Sequence, residues 1–183
     1  IWPLPYRAPL TLAGVPAGFL PWLLTDLARA SKGRAVYVAA DEAAMRSAAD
    51  TAHYFAPELE LLSFPAWDCL PYDRASPSLR ATSERLACLA SLQRPKSGPQ
   101  LLITTINAIA QRTLTPFRVR QLSAHLKPGA RIDRDQLATL LQANGYVRSD
   151  TVADAGEFAI RGSLVDLFPS GEIHALRLDF FGD

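Results

Sequence analysis

The chain reads as an α/β protein in two parts, a parallel-sheet domain followed by a smaller α+β domain with an antiparallel meander. Three observations predict this. Continuous apolar runs alternate with helical periodicity up to about residue 111, as strands and crossover helices of a parallel sheet do. From Gly156 onward, three short apolar segments are separated by turn residues instead. The charge balance also changes along the chain: Arg85 to Ile132 holds eight cations and no carboxylate, whereas Asp133 to Asp183 holds nine carboxylates against four arginines. With 183 residues and 49% hydrophobic content, the chain can bury one good core and a second, smaller one.

The elements follow in order. Leu10 to Ala13 is a short apolar strand ending at Gly14, and Gly18 to Ser31 is a helix with Leu20, Leu23, Leu24 and Leu27 on one face. Lys32-Gly33 closes it. Ala35 to Ala39 has the unbroken apolar character of a strand buried on both faces. Asp41 caps a helix in which Met45, Ala48, Ala49, Ala52 and Phe55 keep the 3.6-residue period up to Pro57. Leu59 to Phe64 is a third strand. A proline-rich connection, Pro65 to Pro77, leads to a helix over about Ser78 to Leu92 with a stripe of Leu79, Leu86 and Leu89. Leu101 to Thr104 is a fourth strand, and Ile106 to Gln111 a short helix.

After Pro116 the rhythm changes. Phe117 to Leu126 reads as extended, Lys127-Pro128-Gly129 as a turn, and Asp133 to Gln136 as the capped start of a helix carrying Leu137, Leu140 and Leu141. Asn144-Gly145 stops that helix. The meander comprises Phe158 to Ile160, Leu164 to Phe168 and Leu176 to Phe181, broken at Arg161-Gly162 and at Pro169-Ser170-Gly171. The division between domains is expected near residue 120, giving 1–120 and 121–183.

Composition excludes several functions. The 19 basic and 18 acidic residues nearly cancel, so the chain is not basic throughout. Cys69 and Cys88 are too few for a disulfide framework, and with His53, His125 and His174 scattered there is no metal-ligand spacing. No basic-then-apolar leader is evident, and no apolar run approaches the ~20 residues that cross a bilayer. A cytoplasmic location is expected, with no metal and no cofactor.

A strand, a glycine, a loop and a helix at the start of a parallel unit is where a phosphate loop belongs. That pattern needs a second glycine for close backbone approach, then a lysine and a hydroxyl. Here Gly14 to Pro21 reads GVPAGFLP, so that Gly18 precedes Phe19, Leu20 and Pro21 in those three places. Phe19 obstructs the approach, Leu20 carries no charge and Pro21 has no N–H. An ordinary strand-to-helix turn and a decayed nucleotide site are both consistent with this. Neither predicts ATP binding.

Other candidates are weaker. Asp68 and Asp73 share a loop with Trp67 and Tyr72 but have no nucleophile or histidine beside them, which points to a packed surface loop rather than an acid/base site. The basic stretch 85–132 makes a DNA-binding module the alternative function, although scattered cations are commonly just solvated surface. On the last strand, alternation places Arg177, Asp179 and Phe181 on one face and Leu176, Leu178 and Phe180 on the other. Arg161 and Arg177 are open to two readings. They form surface ion pairs with Glu157 or Asp179, or they sit beside Phe181 on an exposed face suited to bidentate contact with a partner's carboxylates.

The segments FPAWDCLPYDRASPS, LLITTINAIAQR, GYVRSDTV, GEFAIRGSLVDLFPSG and LRLDFFGD carry a family resemblance. The chain resembles the amino-terminal region of the bacterial transcription-repair coupling factor, the part built like the excinuclease protein UvrB, over nearly its whole length. The resemblance implies a degenerate, phosphate-loop-ATPase-like first domain. UvrB itself has an intact phosphate loop and a long aromatic hairpin that clamps DNA; GVPAGFLP and the short Trp67 to Pro77 loop depart from both. The implied function is a non-catalytic adaptor that recruits the excinuclease protein UvrA in transcription-coupled nucleotide excision repair. The positions matching the family's partner-binding residues are Arg161, Arg177 and Phe181. The parent protein would be an ATP-dependent translocase acting on stalled RNA polymerase and double-stranded DNA through further domains. In the family the chain continues beyond the equivalent of Asp183 and returns to complete the first sheet, so a fragment is expected.

Overall fold

The computed structural model describes residues 11–180 apart from 32–33, 71–73, 125, 171 and 173. The Lys32-Gly33 helix stop, Asp73, Gly171 and Phe181 therefore lie outside the described residues. The described chain forms two compact units. One runs to Ala66 and resumes over Pro95–Arg112; the other takes Trp67–Arg94 and Thr113 onward.

The first unit is a three-stranded parallel sheet under two helices. Helix α1 (Leu20–Ala30), strand β1 (Arg34–Ala39), helix α2 (Glu42–Phe55), strand β2 (Glu60–Phe64), strand β3 (Gln100–Thr105) and the short α4 (Ile106–Ala110) make it up; α3 belongs to the other unit. The sheet order is β1-β3-β2 with β3 central. Asp41 caps α2 as its sequence predicts, its side chain accepting from the Ala44 N–H at 2.7 Å. The core joins Ala28 of α1, Met45 and Ala52 of α2, and Ala39, Leu101 and Ile103 of the sheet.

Two expectations for this unit change. Thr11 to Ala13 is exposed and carries no strand, and Gly14 turns the chain with a φ of +72°, so the described parallel sheet has three strands rather than four. Strand β1 is not buried on both faces. Ala35, Tyr37 and Ala39 pack with residues of α1 and α2, while Val36 and Val38 remain 56% and 41% exposed, because both helices pack on the side to which Ala35 and Tyr37 point.

The second unit contains helices α3 (Leu79–Gln93), α5 (Pro116–Gln121) and α6 (Arg134–Ala143), with strands β4 (Val147–Arg148), β5 (Glu157–Arg161), β6 (Leu164–Leu167) and β7 (Leu176–Asp179). The buried residues of α3 are Ala81, Ser83, Arg85, Cys88 and Ser91, not the predicted leucine stripe; Leu79 and Leu86 are exposed. Ala81, Arg85 and Cys88 follow helical spacing themselves, and the small side chains let the helix seat closely. The segment after Thr115, expected to be extended, is α5. Thr115 accepts from the Arg118 N–H, and Pro116 supplies a φ already suited to the first turn.

Helix α6 begins and ends where its sequence predicts. Asp133 accepts from the Gln136 N–H at 2.7 Å, and Gly145 leaves the helix with a φ of +83°. Leu137 and Leu141, one turn apart, pack on Phe158, Val165 and Leu167 of the sheet. The meander β5-β6-β7 is antiparallel, and two-residue β4 adds a parallel neighbour to β5 that the sequence did not suggest. The first hairpin turns at Gly162-Ser163, where Gly162 adopts a φ of +61°.

Candidate functional site

Register decides which side chains share a face. Ala159 lies opposite Asp166, which lies opposite Arg177; Arg161 lies opposite Leu164, which lies opposite Asp179. Directly paired residues project to the same side of an antiparallel sheet. Phe158, Val165, Leu167 and Leu178 fall on the other side, in contact with α6 and its core. Arg161 and Arg177 therefore share the outer face with Asp166 and Asp179, as alternation along β7 implied for Arg177 and Asp179.

Each arginine is held, and neither by the acid the sequence suggested. Arg177 donates from Nε to Asp166 Oδ1 at 2.6 Å and from Nη2 to Asp166 Oδ2 at 2.9 Å, a bidentate pair. The Arg177 side chain remains 61% exposed, whereas Asp166 is 17% exposed. The hydrogen bond from Arg177 holds the Asp166 carboxyl below its usual range, with the charges of Arg177 and Arg161 acting in the same direction. The same contact raises Arg177. Arg161 donates from Nη2 to the Asp150 carbonyl at 2.5 Å and to the Thr151 hydroxyl at 3.2 Å.

The loop that receives Arg161 is braced by its own bonds. Glu157 accepts from the backbone N–H groups of Ala153 and Asp154, which lowers its carboxyl, and the Ser149 hydroxyl donates to the Thr151 carbonyl. Asp179 accepts from the Ser163 hydroxyl at 3.4 Å. Between the loop and β7 lies an open hollow of about 380 Å³ whose walls include Thr151, Val152, Arg161, Asp166, Leu176 and Arg177. A second hollow, lined by Arg148, Ser149, Asp150 and Ile160, adjoins Arg161. Phe181 falls outside the described residues.

Residues 124–183, which include this sheet, match the family described as the UvrB interaction domain. The chain is 34% identical over 161 residues to a transcription-repair-coupling factor of Escherichia coli, covering 88% of this chain and 14% of that protein. It is 36% identical over 167 residues to the factor of Myxococcus xanthus, with the same coverage, and 39% identical over 120 residues to that of Haemophilus influenzae, covering 66% of this chain and 10% of the relative. The chain belongs to the transcription-repair-coupling-factor family. It spans only about a seventh, or less, of the length of these coupling factors.

Asp68 accepts from the Ser78 N–H at 2.9 Å, which lowers its carboxyl and ties the loop to the start of α3. Its suggested companion Asp73 is outside the described residues. In the loop Gly14 to Pro21, the N–H groups of Phe19 and Leu20 both donate to the Pro16 carbonyl, and the Phe19 ring packs on Trp22 with centroids 4.8 Å apart. Of the cations in the basic stretch, Arg85 is buried, while Arg94, Arg118 and Arg120 bond to Ser91, Gln121 and Gln93. Among the described residues, no group of three or more His, Cys, Asp or Glu is placed to hold a metal ion, and no helix is long and apolar enough to cross a membrane.

Asp166 is the residue that reading by motif missed. A single carboxylate within the apolar run LVDLF was the available signal, but its partner across the sheet is defined only once the hairpin register is known.

Proposed function

We propose that this chain is a non-catalytic adaptor module that docks the excinuclease protein UvrA, the damage-recognition partner in transcription-coupled nucleotide excision repair. The docking face is the outer side of β5, β6 and β7. Arg161 and Arg177 supply charge-assisted hydrogen bonds, and Phe181, two residues beyond Asp179 in sequence, supplies an apolar anchor. The reading is carried by the position of Arg161 and Arg177 on one solvent-facing sheet surface within the segment that matches the UvrB interaction domain.

The first unit is, on this reading, an ATPase-like sheet without a working phosphate loop. Two N–H groups at the start of α1 are already spent on Pro16, and Pro21 has none, which leaves few donors for a phosphate. Translocation along double-stranded DNA and action on RNA polymerase are assigned to the rest of a full-length parent.

Calorimetric titration of UvrA into the chain tests the proposal. Arg161→Ala, Arg177→Ala and Phe181→Ala should each weaken binding by about tenfold or more while thermal unfolding shows that each variant remains folded. Unaltered affinity in all three would reject the face.

A further inference from the structure

Resting on that docking assignment, we infer that Asp166 is a positioning residue of the face: it fixes the Arg177 guanidinium side-on, so that its free edge and Arg161 together receive one carboxylate of the partner.

Arginine has five N–H donors in a planar fork. Asp166 occupies the Nε–H and one N–H of Nη2. The other Nη2 donor and both Nη1 donors remain, and they form the end-on edge that suits a second bidentate acceptor. Arg161 is tethered in the same fashion. Its Nη2 is engaged by the Asp150 carbonyl and the Thr151 hydroxyl, with Nε and Nη1 remaining. Both guanidiniums are thus anchored by the protein on one side and available on the other.

Charge defines the ligand. Within the hollow, two guanidiniums and the Asp166 carboxylate leave one positive charge, which one incoming carboxylate neutralises. The other acids of this face are engaged elsewhere. Glu157 caps the backbone of Ala153 and Asp154, and Asp179 lies across Leu164 from Arg161, accepting from Ser163. Val152 also walls the hollow and can cover the methylene carbons of an aspartate or glutamate side chain. An arginine already held in one rotamer loses less freedom on docking than a mobile one, so the resident carboxylate strengthens binding although its charge repels the incoming acid.

The test is a titration of UvrA against the full chain carrying Asp166→Asn, Asp166→Glu, Arg177→Lys, Arg177→Ala and the Asp166→Asn/Arg177→Ala pair, at salt high enough to screen long-range attraction. Folding is checked by thermal melting. Asp166→Asn should bind about five- to tenfold more weakly, chiefly through faster dissociation, and Asp166→Glu should recover part of the loss. In the Arg177→Ala background, Asp166→Asn should cost nothing further, because the residue it positions is gone. Arg177→Lys should be nearly as weak as Arg177→Ala, since a point charge lacks the second edge. If Asp166→Asn binds as well as or better than the unaltered chain while Arg177→Ala is weak, the positioning role is wrong and the docking assignment stands. If Arg177→Ala itself binds normally, the docking role of Arg177 falls, and this inference with it.

Discussion

The guanidinium carbon of Arg85 lies 4.4 Å from the centre of the Trp67 ring, and Arg85 is only 1% exposed. This stacked pair joins the start of the proline-rich loop to the inner face of α3. Burial lowers the Arg85 pKa, and the electron-rich ring face offsets part of that cost.

Trp67→Ala should therefore destabilise the second unit by about 2 kcal/mol, combining the lost cation–π contact with lost packing. Denaturant unfolding followed by circular dichroism measures it. A change within a few tenths of a kcal/mol would mean that the stacking contributes nothing to stability.

The Asp166–Arg177 pair should appear in an acid titration. The native Asp166 carboxyl titrates below its ordinary range, chiefly through the hydrogen bond from Arg177. Its contribution to stability is complete above the unfolded value of about 3.9 and is lost as pH falls through the depressed native value. In Arg177→Ala the carboxyl resonance should titrate closer to the ordinary range; an unshifted midpoint by NMR would contradict the pair.

Gly162 makes the first hairpin possible, and Arg134 of α6 donates to its carbonyl at 2.8 Å. Gly162→Ala should cost about 1 kcal/mol, because an L side chain is strained at a φ of +61°. A Cβ at this position would meet nothing within 4 Å, so the cost should come from the backbone alone and appear as a lower unfolding midpoint.

Loss of a helix cap should be equally measurable. Asp133→Ala removes the acceptor of the Gln136 N–H and should cost about 1 kcal/mol; Asp133→Asn should retain most of the stability. Equal destabilisation by both would show that charge, not the cap bond, is what matters.

Mg-ATP should leave the melting temperature unchanged at millimolar concentration, since a ligand that binds the native state raises it. A reproducible upward shift would overturn the reading of Gly14 to Pro21.

Local chemistry made much of this fold legible. The caps at Asp41 and Asp133, the stop at Gly145 and the turn at Gly162 each depend on one side chain or one glycine acting on nearby backbone. Reading failed where longer-range packing decided. The leucines of α3 are a conspicuous stripe, but its small residues are what seat it, and a buried arginine cannot be distinguished from a surface one by spacing. Phe117 to Leu126 reads as extended, yet the local Thr115-Pro116 start makes its first part the helix α5. The outer-face placement of Arg177 followed from alternation, whereas its partner Asp166 depended on register between strands.

The polypeptide passes between its two compact units three times, at Ala66, Arg94 and Arg112. No single scission can therefore yield both pieces whole. Cleavage after Arg112 strands α3 on the wrong side of the break, and excising residues 124–183 alone discards α3, α5 and the Trp67–Arg85 stack. Isolating the sheet that bears Arg161 and Arg177 in its native surroundings requires splicing Trp67–Arg94 directly to the segment that begins at Thr113.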